Sequence, residues 1–440
     1  MPNRSNDERL RAGESEPVKK RIWRHPEGNF VANSLRSIVQ SDRQLAEYNS
    51  SMNFSATASV NIDIKDPSLI QMLLGRAEYC DVEAERESIR GRGVLITGAG
   101  GSIGRELAIA VARSHPKSLV IVDSAETNLF RIESELSSLL LDVVIRPIVA
   151  DISRESDVGR IFSEHSIDLV YHAAAYKHVH FAERYSIPVL RTNVLGTEYV
   201  ARQAAEAGAT FILISTDKAE QPTGLLGMSK RLAELITNAH ASGGARSFAI
   251  RSGNVLGSNG SFLEVVAQSL RSGHQIPVTD MNACRYYLTA HELATLLLRA
   301  NCVGHSGDIY WLNLGPELSL RELLERLDRW LSTTAHRKAG VKIIGLRPGE
   351  RLREPILLTC SEPIASGIWL VRHEPAIPFE TSAFIRDLGE ACKSHNEEHA
   401  LRVATECLST WNRGVAFSHS AALCRASSAN AIPPGGEAKT

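Results

Sequence analysis

Apolar positions along the chain fall into two rhythms. Between Gly93 and Asn254, short apolar runs occur at VLIT (94–97), SLVIVD (118–123), VVIRPIVAD (143–151), IDLVYHAAA (167–175), FILIST (211–216) and FAIRSGN (248–254). They alternate with helical patterns such as GRELAIAVARSH (104–115) and NVLGTEYVARQAAEAG (193–208). Unbroken apolar runs suit strands covered on both faces, and the alternation predicts an α/β fold with a doubly wound parallel sheet. After Asn254 the rhythm loosens. Strands are expected at DIYWLNLG (308–315) and GVKIIGL (340–346). Between them, LSLRELLERLDRWL (318–331) places Leu320, Leu323, Leu324, Leu327, Trp330 and Leu331 on one helical face, with Ser319 and Glu322 spaced as a capping box. This later part reads as a smaller α+β lobe over the carboxyl edge of the sheet.

The pattern divides the chain into a polar arm (1–60), a short helical segment (61–92), the α/β domain (93–257), a lobe interleaved with late sheet strands (258–415) and a small-residue tail (416–440). The arm buries too little apolar surface to offset the entropy of ordering. Its basic stretch KKRIWR (19–24) reads as a solvated cluster.

Charge changes the picture only by exclusion. The 49 Lys+Arg nearly cancel the 50 Asp+Glu, for a net charge of −1, so no global field favours nucleic acid. The seven cysteines (80, 284, 302, 360, 392, 407 and 424) include no CxxC pair, which fits a reducing cytoplasm. No run approaches the length of a membrane span, and no signal-peptide core opens the chain.

The chemistry begins at Thr97-Gly98-Ala99-Gly100-Gly101-Ser102-Ile103-Gly104, between a predicted strand and a predicted helix. Glycines there let the backbone approach a pyrophosphate, which a helix N-terminus stabilises. Thr97, Gly98, Gly101, Ser102, Ile103 and Gly104 are therefore candidate dinucleotide-binding residues. Asp123 ends the next strand, where a carboxylate accepts from ribose hydroxyls and repels a 2′-phosphate, favouring NAD over NADP. Asp151 either contacts adenine or closes a turn, and Ala173 begins a small-residue loop placed to pass close to the cofactor.

At the carboxyl end of the run 211–216 stand Thr216, Asp217 and Lys218, a compact acid–base set that should face the ligand. Farther on, Lys230 sits where short-chain dehydrogenases carry a helical lysine, but the position four residues earlier, a Tyr in those enzymes, is Leu226. A plain alcohol dehydrogenase of that type is disfavoured, while Lys230 can still bind the nicotinamide ribose. His172, His178 and His180 lack a carboxylate or cysteine partner at ligand spacing, so no metal is expected.

The blocks GVLITGAGGSIGREL, HAAAYKHV, TNVLGT, LISTDKAEQPT, GMSKRLAE, RSGNVLGSNGSF and GLRPGERLRE resemble, in order, the nucleotide-sugar 4,6-dehydratases of bacterial polysaccharide biosynthesis. These are extended short-chain dehydrogenase/reductases with a Rossmann-like domain, acting on UDP-N-acetylglucosamine or a near relative. The segment 67–89 resembles the one preceding the catalytic domain in the membrane-attached branch, whose spanning region is not seen here. The resemblance implies Lys218 as base at the sugar C5, Asp217 as acid at C6 and Thr216 as the hydroxyl that hydrogen-bonds the reacting C4 oxygen. It implies substrate contacts from Tyr176, Lys177 and His178 and a bracing role for Asn193. It places Asn254, Arg285 and Arg347 at the UDP, and Glu350 at the uridine ribose or paired with a neighbouring Arg. It also implies a homo-oligomer. Burial and Lys230 should lower the Lys218 pKa while Asp217 raises it. Leu226, Gln221 and Ser252 depart from the family pattern. A 4-epimerase with the same cofactor, or a catalytically silent NAD-binding scaffold, remain alternatives.

Overall fold

In the computed structural model the six early apolar runs form strands β1 (Gly93–Thr97), β2 (Ser118–Asp123), β3 (Val144–Val149), β4 (Leu169–His172), β5 (Thr210–Thr216) and β6 (Ser247–Ser252). The structure describes residues 62–79, 83–242, 244–334, 340–355, 361–371 and 381–411. The arm 1–60, its basic stretch and the tail 416–440 lie outside them. The strands are parallel and ordered β3-β2-β1-β4-β5-β6, continued by Ile309–Leu312, Ile368–Val371 and Ser361–Ala365. The last two strands form an antiparallel edge that the sequence pattern did not reveal.

Alternation along each strand splits the core into two layers. Leu95, Val120, Val170, Phe211, Leu213 and Trp311 enter one cluster, and their neighbours Val94, Ile96, Ile121, Tyr171, Ile212 and Tyr310 the other. Both faces are thus covered, and each fully buried Leu or Ile contributes about 1.5–3 kcal/mol. This is a doubly wound, Rossmann-like fold. Chain order reverses between β1 and β4, so a crevice opens beyond their carboxyl ends.

The lobe has its own core. The expected helix runs over Leu320–Thr334, and its six predicted apolar residues are all buried in it. Its capping box is present: Glu322 N–H donates to Ser319 Oγ at 3.2 Å, and Ser319 N–H donates to Glu322 Oε2 at 2.8 Å.

Packing redraws three expectations. The helix Pro67–Leu74 buries Leu69, Leu73 and Leu74 in the lobe core, so it belongs with the lobe, while Tyr79 and Ile89 farther along pack on the main sheet. Arg76 and the Tyr79 N–H both bind Glu292, which is also the capping-box partner of Thr289. The run 340–346 gives only Val341–Ile343, and it pairs with Ile276–Val278 inside the lobe rather than with the sheet. Phe384, Leu388, Ala400, Ala404 and Leu408, assigned from sequence to the lobe, instead cover one face of the main sheet. Among the described residues no helix is long and apolar enough to cross a membrane.

Candidate active site

The glycine-rich turn lies in the β1–β4 crevice. Gly98 has φ +68, and a Cβ there would sit 2.7 Å from the Ala174 backbone. Gly104 faces the Gly98 carbonyl so closely that a Cβ would collide with it. These two positions require glycine because the turn, the helix and the β4 loop meet there. The helix Ser102–Ala112 has no side-chain cap, so its first N–H groups remain available to an anion. Ile103 packs into the core beside it, and Ser102 Oγ accepts from Asn259 N–H at 3.0 Å.

A cavity of about 470 Å³ adjoins the turn, lined by Gly98, Gly101, Asp123, Asp151, Ala173 and Tyr176 among others. Asp123 Oδ2 accepts from Gly100 N–H and Oδ1 from Ala125 N–H, both at 2.9 Å. A carboxylate offers about four lone-pair sites, so each oxygen keeps one for a ribose hydroxyl. Asp151 lines the same cavity and also closes a turn, accepting from Ser153 N–H at 2.9 Å. Beneath the turn, Thr97 Oγ1 lies 2.9 Å from His172 Nδ1, whose Nε2 lies 3.2 Å from Thr197 Oγ1. Burial, helped by Lys230, pushes the His172 pKa down to about 3, so this histidine is a neutral strut. The donor set, the volume and the carboxylate at 123 fit a dinucleotide.

Thr216, Asp217 and Lys218 meet at the carboxyl end of β5. Thr216 Oγ1 donates to Asp217 Oδ1 at 2.8 Å, and Lys218 Nζ donates to the same oxygen at 2.9 Å. Asp217 Oδ2 is buried without a hydrogen-bond partner. Such an acceptor costs about 1–3 kcal/mol, so its pairing with a ligand hydroxyl would be favoured. Glu354, which the sequence reading passed over, approaches within 3.4 Å of Lys218 Nζ. Burial pushes the Lys218 pKa down, but Asp217 and Glu354 together outweigh it and hold it above the ordinary lysine value. Lys230 takes no part in that balance: its Nζ donates to the Ile214 carbonyl at 2.8 Å, and burial lowers its pKa to about 8. It does not line the cavity beside the glycine turn.

The remaining candidates separate into loop contacts and braces. Asn193 is fully buried rather than open to substrate. Its Oδ1 accepts from Tyr176 N–H at 2.8 Å, and its Nδ2 donates to the Tyr176 carbonyl at 3.1 Å and to Ser229 Oγ at 3.0 Å. It thereby holds the loop that displays half-exposed Tyr176. Lys177 Nζ donates to Ser258 Oγ at 3.3 Å, and the His178 ring lies against Gly260, so both tie that loop to the lobe. Asn254 opens a short strand paired with Tyr287–Thr289, its N–H donating to the Tyr286 carbonyl at 2.8 Å.

Arg285 is hydrogen-bonded to backbone carbonyls. It donates to the carbonyls of Cys284 at 2.7 Å, Leu352 at 3.0 Å and Arg351 at 2.7 Å, because the strand Cys284–Arg285 runs beside residues 351–352. Glu350 Oε2 accepts from Arg347 N–H at 3.0 Å, closing its own turn, while the Arg347 side chain is exposed. Leu226 is buried in the sheet core and lines a void of about 10 Å³ beside Lys218 and Glu354.

Comparison with known proteins agrees with this geometry. The family described as "Polysaccharide biosynthesis protein" matches residues 94–366. The chain is similar to the capsular polysaccharide biosynthesis protein CapD of Staphylococcus aureus, 33% identical over 66% of this chain and 49% of that protein. It therefore spans about half the length of that relative. It is also similar to a UDP-glucose 4-epimerase of Rickettsia bellii, 29% identical over 60% of this chain and 77% of that one. Among solved structures, Pen from Bacillus thuringiensis superposes with a TM-score of 0.59 at 27% identity, covering 64% of this chain and 88% of that one.

Proposed function

The chain belongs to the polysaccharide biosynthesis protein family, and from that premise we propose that it is an NAD-dependent nucleotide-sugar 4,6-dehydratase. Its substrate in this reading is a UDP-N-acetylhexosamine, UDP-N-acetylglucosamine in the first place, and its setting the cytoplasm. The observation that carries the reading is the shared Asp217 Oδ1, which binds a hydroxyl and an amine into one acid–base unit beyond the sheet's carboxyl edge.

The dinucleotide, when bound, supplies reversible hydride storage, so oxidation of the sugar at C4 and reduction at C6 leave no net redox change. The Asp123 carboxylate accepts from the adenosine ribose and disfavours a 2′-phosphate. Thr216 Oγ1 accepts from the C4 hydroxyl while donating to Asp217 Oδ1, so the hydroxyl proton lost on oxidation at C4 passes through Thr216 to the Asp217 carboxylate. The C4 ketone acidifies C5–H, and Lys218 as a neutral amine takes that proton. Asp217, protonated in that way, gives its proton to the C6 oxygen as it departs as water, and the Lys218 ammonium returns a proton to C5 as C6 is reduced. General acid–base groups of this kind contribute about 10²–10⁴-fold each. Leu226 has no proton to move and packs as a wall.

An epimerase reading is favoured by the Rickettsia bellii relative. It leaves Lys218 and Asp217 without work, because inversion at C4 removes nothing at C5 or C6. Incubation of the purified chain with NAD and UDP-N-acetylglucosamine, followed by mass spectrometry, separates the two. Loss of one water is expected. An isomer of unchanged mass would replace this reading with epimerisation.

A further inference from the structure

The cleft beside the acid–base residues holds about 10 Å³, room for about one water as the side chains stand. Gly349 and Glu354 supply part of its wall, so the chain segment 346–355 borders the acid–base residues. That segment is tethered from outside the sheet. Arg285 binds the carbonyls of Arg351 and Leu352, and its Nε lies 3.9 Å from Glu354 Oε1. Glu354 is itself deeply buried, its side chain 6% exposed, and the nearest cation to it is Lys218.

We propose that Glu354 is a positioning residue that holds Lys218 as an ammonium in the closed site and withdraws with segment 346–355 when a nucleotide sugar enters. This rests on the reading of Lys218 as base given above. The charged groups facing Lys218 are Asp217 on its own turn, and Glu354 and Arg285 from the lobe. Two carboxylates against one guanidinium keep the amine protonated. Removing Glu354 leaves Asp217 alone against burial, which frees the amine to lose its proton. The same movement that makes room for the sugar thus converts Lys218 from an ion-pair partner into a base.

The test follows the Lys218 amine itself. The full chain is labelled with [13Cε]lysine, and the Lys218 resonance is assigned by its loss in Lys218→Met. Titration without substrate is then compared in the native chain, Glu354→Gln and Glu354→Asp. Glu354→Gln is expected to move the Lys218 midpoint down by about one pH unit, since an opposite charge within ~4–6 Å shifts a pKa by about 1–3 units. Glu354→Asp restores part of that shift, and the Lys230 midpoint stays in place as evidence of an intact fold. In turnover, the rising limb of the kcat–pH profile moves to lower pH in Glu354→Gln. An unmoved Lys218 midpoint in a variant whose Lys230 titrates normally would overturn the proposal. A moved midpoint in a chain that dehydrates no sugar would overturn the proposed function while leaving the hold of Glu354 on the Lys218 ammonium in place.

Discussion

The two halves of the site are built on opposite principles. The dinucleotide half is an open cavity of about 470 Å³ shaped by backbone, with glycines, helix N–H groups and a neutral histidine beneath. The acid–base half is a void of about 10 Å³ filled by side chains that neutralise one another. Backbone dipoles are fixed by the sheet and need no partner to stay in place. Charged side chains must be paired when buried, and in a closed site they pair with each other. The first half is preformed, and the second, under the proposal made for Glu354, has to open.

Mutations on one side should leave the other untouched. The largest effect is expected for Lys218→Ala, which should cut dehydration by about 10²–10⁴-fold while NAD affinity, read by fluorescence titration, stays within about twofold. Equal losses of both would erase the division. Gly98→Ala should do the reverse. A side chain at φ +68 facing the Ala174 backbone costs about 1–3 kcal/mol, seen as weaker NAD binding by tenfold or more with the Lys218 titration unmoved.

A smaller effect concerns acid stability. His172 has a folded pKa depressed to about 3, below the unfolded value near 6.5. Between those limits the unfolded chain binds a proton that the native chain refuses. Native stability therefore falls as pH drops through this window, by about 1.4 kcal/mol per pH unit for one proton. Denaturant titrations from pH 6 to pH 4 should show that slope reduced by one proton in His172→Asn, with little change above pH 6.5. The smallest effect is expected for Leu226→Met. As a volume-conserving swap in a packed wall it should change kcat by less than about threefold, and a larger gain would mean that position 226 takes part in the chemistry.

The sequence showed the dinucleotide half well because its requirements are local: a strand, a turn where only glycine fits, a helix and a carboxylate ending the next strand. The helix at 320–334 was equally plain from its leucine spacing and its Ser319–Glu322 cap. The acid–base half was half visible. Thr216-Asp217-Lys218 is contiguous, but Glu354 arrives from far along the chain, and no local pattern distinguishes it from Glu350. Only the structure shows that Glu350 folds back on Arg347 N–H, at a turn where Gly349 has φ +80, while Glu354 continues inward to Lys218. Arg285 has surroundings that the sequence did not show, for a related reason. Its partners are the Cys284, Arg351 and Leu352 carbonyls, which a folded strand brings within reach. The edge strands 361–371 and the helical cover over 381–411 depend on tertiary contacts, which periodicity does not report.

The central claim is that Lys218 and Asp217 act at C5 and C6 of a nucleotide sugar. It is tested most directly by running the reaction with UDP-N-acetylglucosamine and NAD in D2O and locating deuterium in the product. The account predicts a product lighter by one water that carries a single deuteron at C5, with none formed by Lys218→Ala. A product of unchanged composition without deuterium at C5 would contradict it.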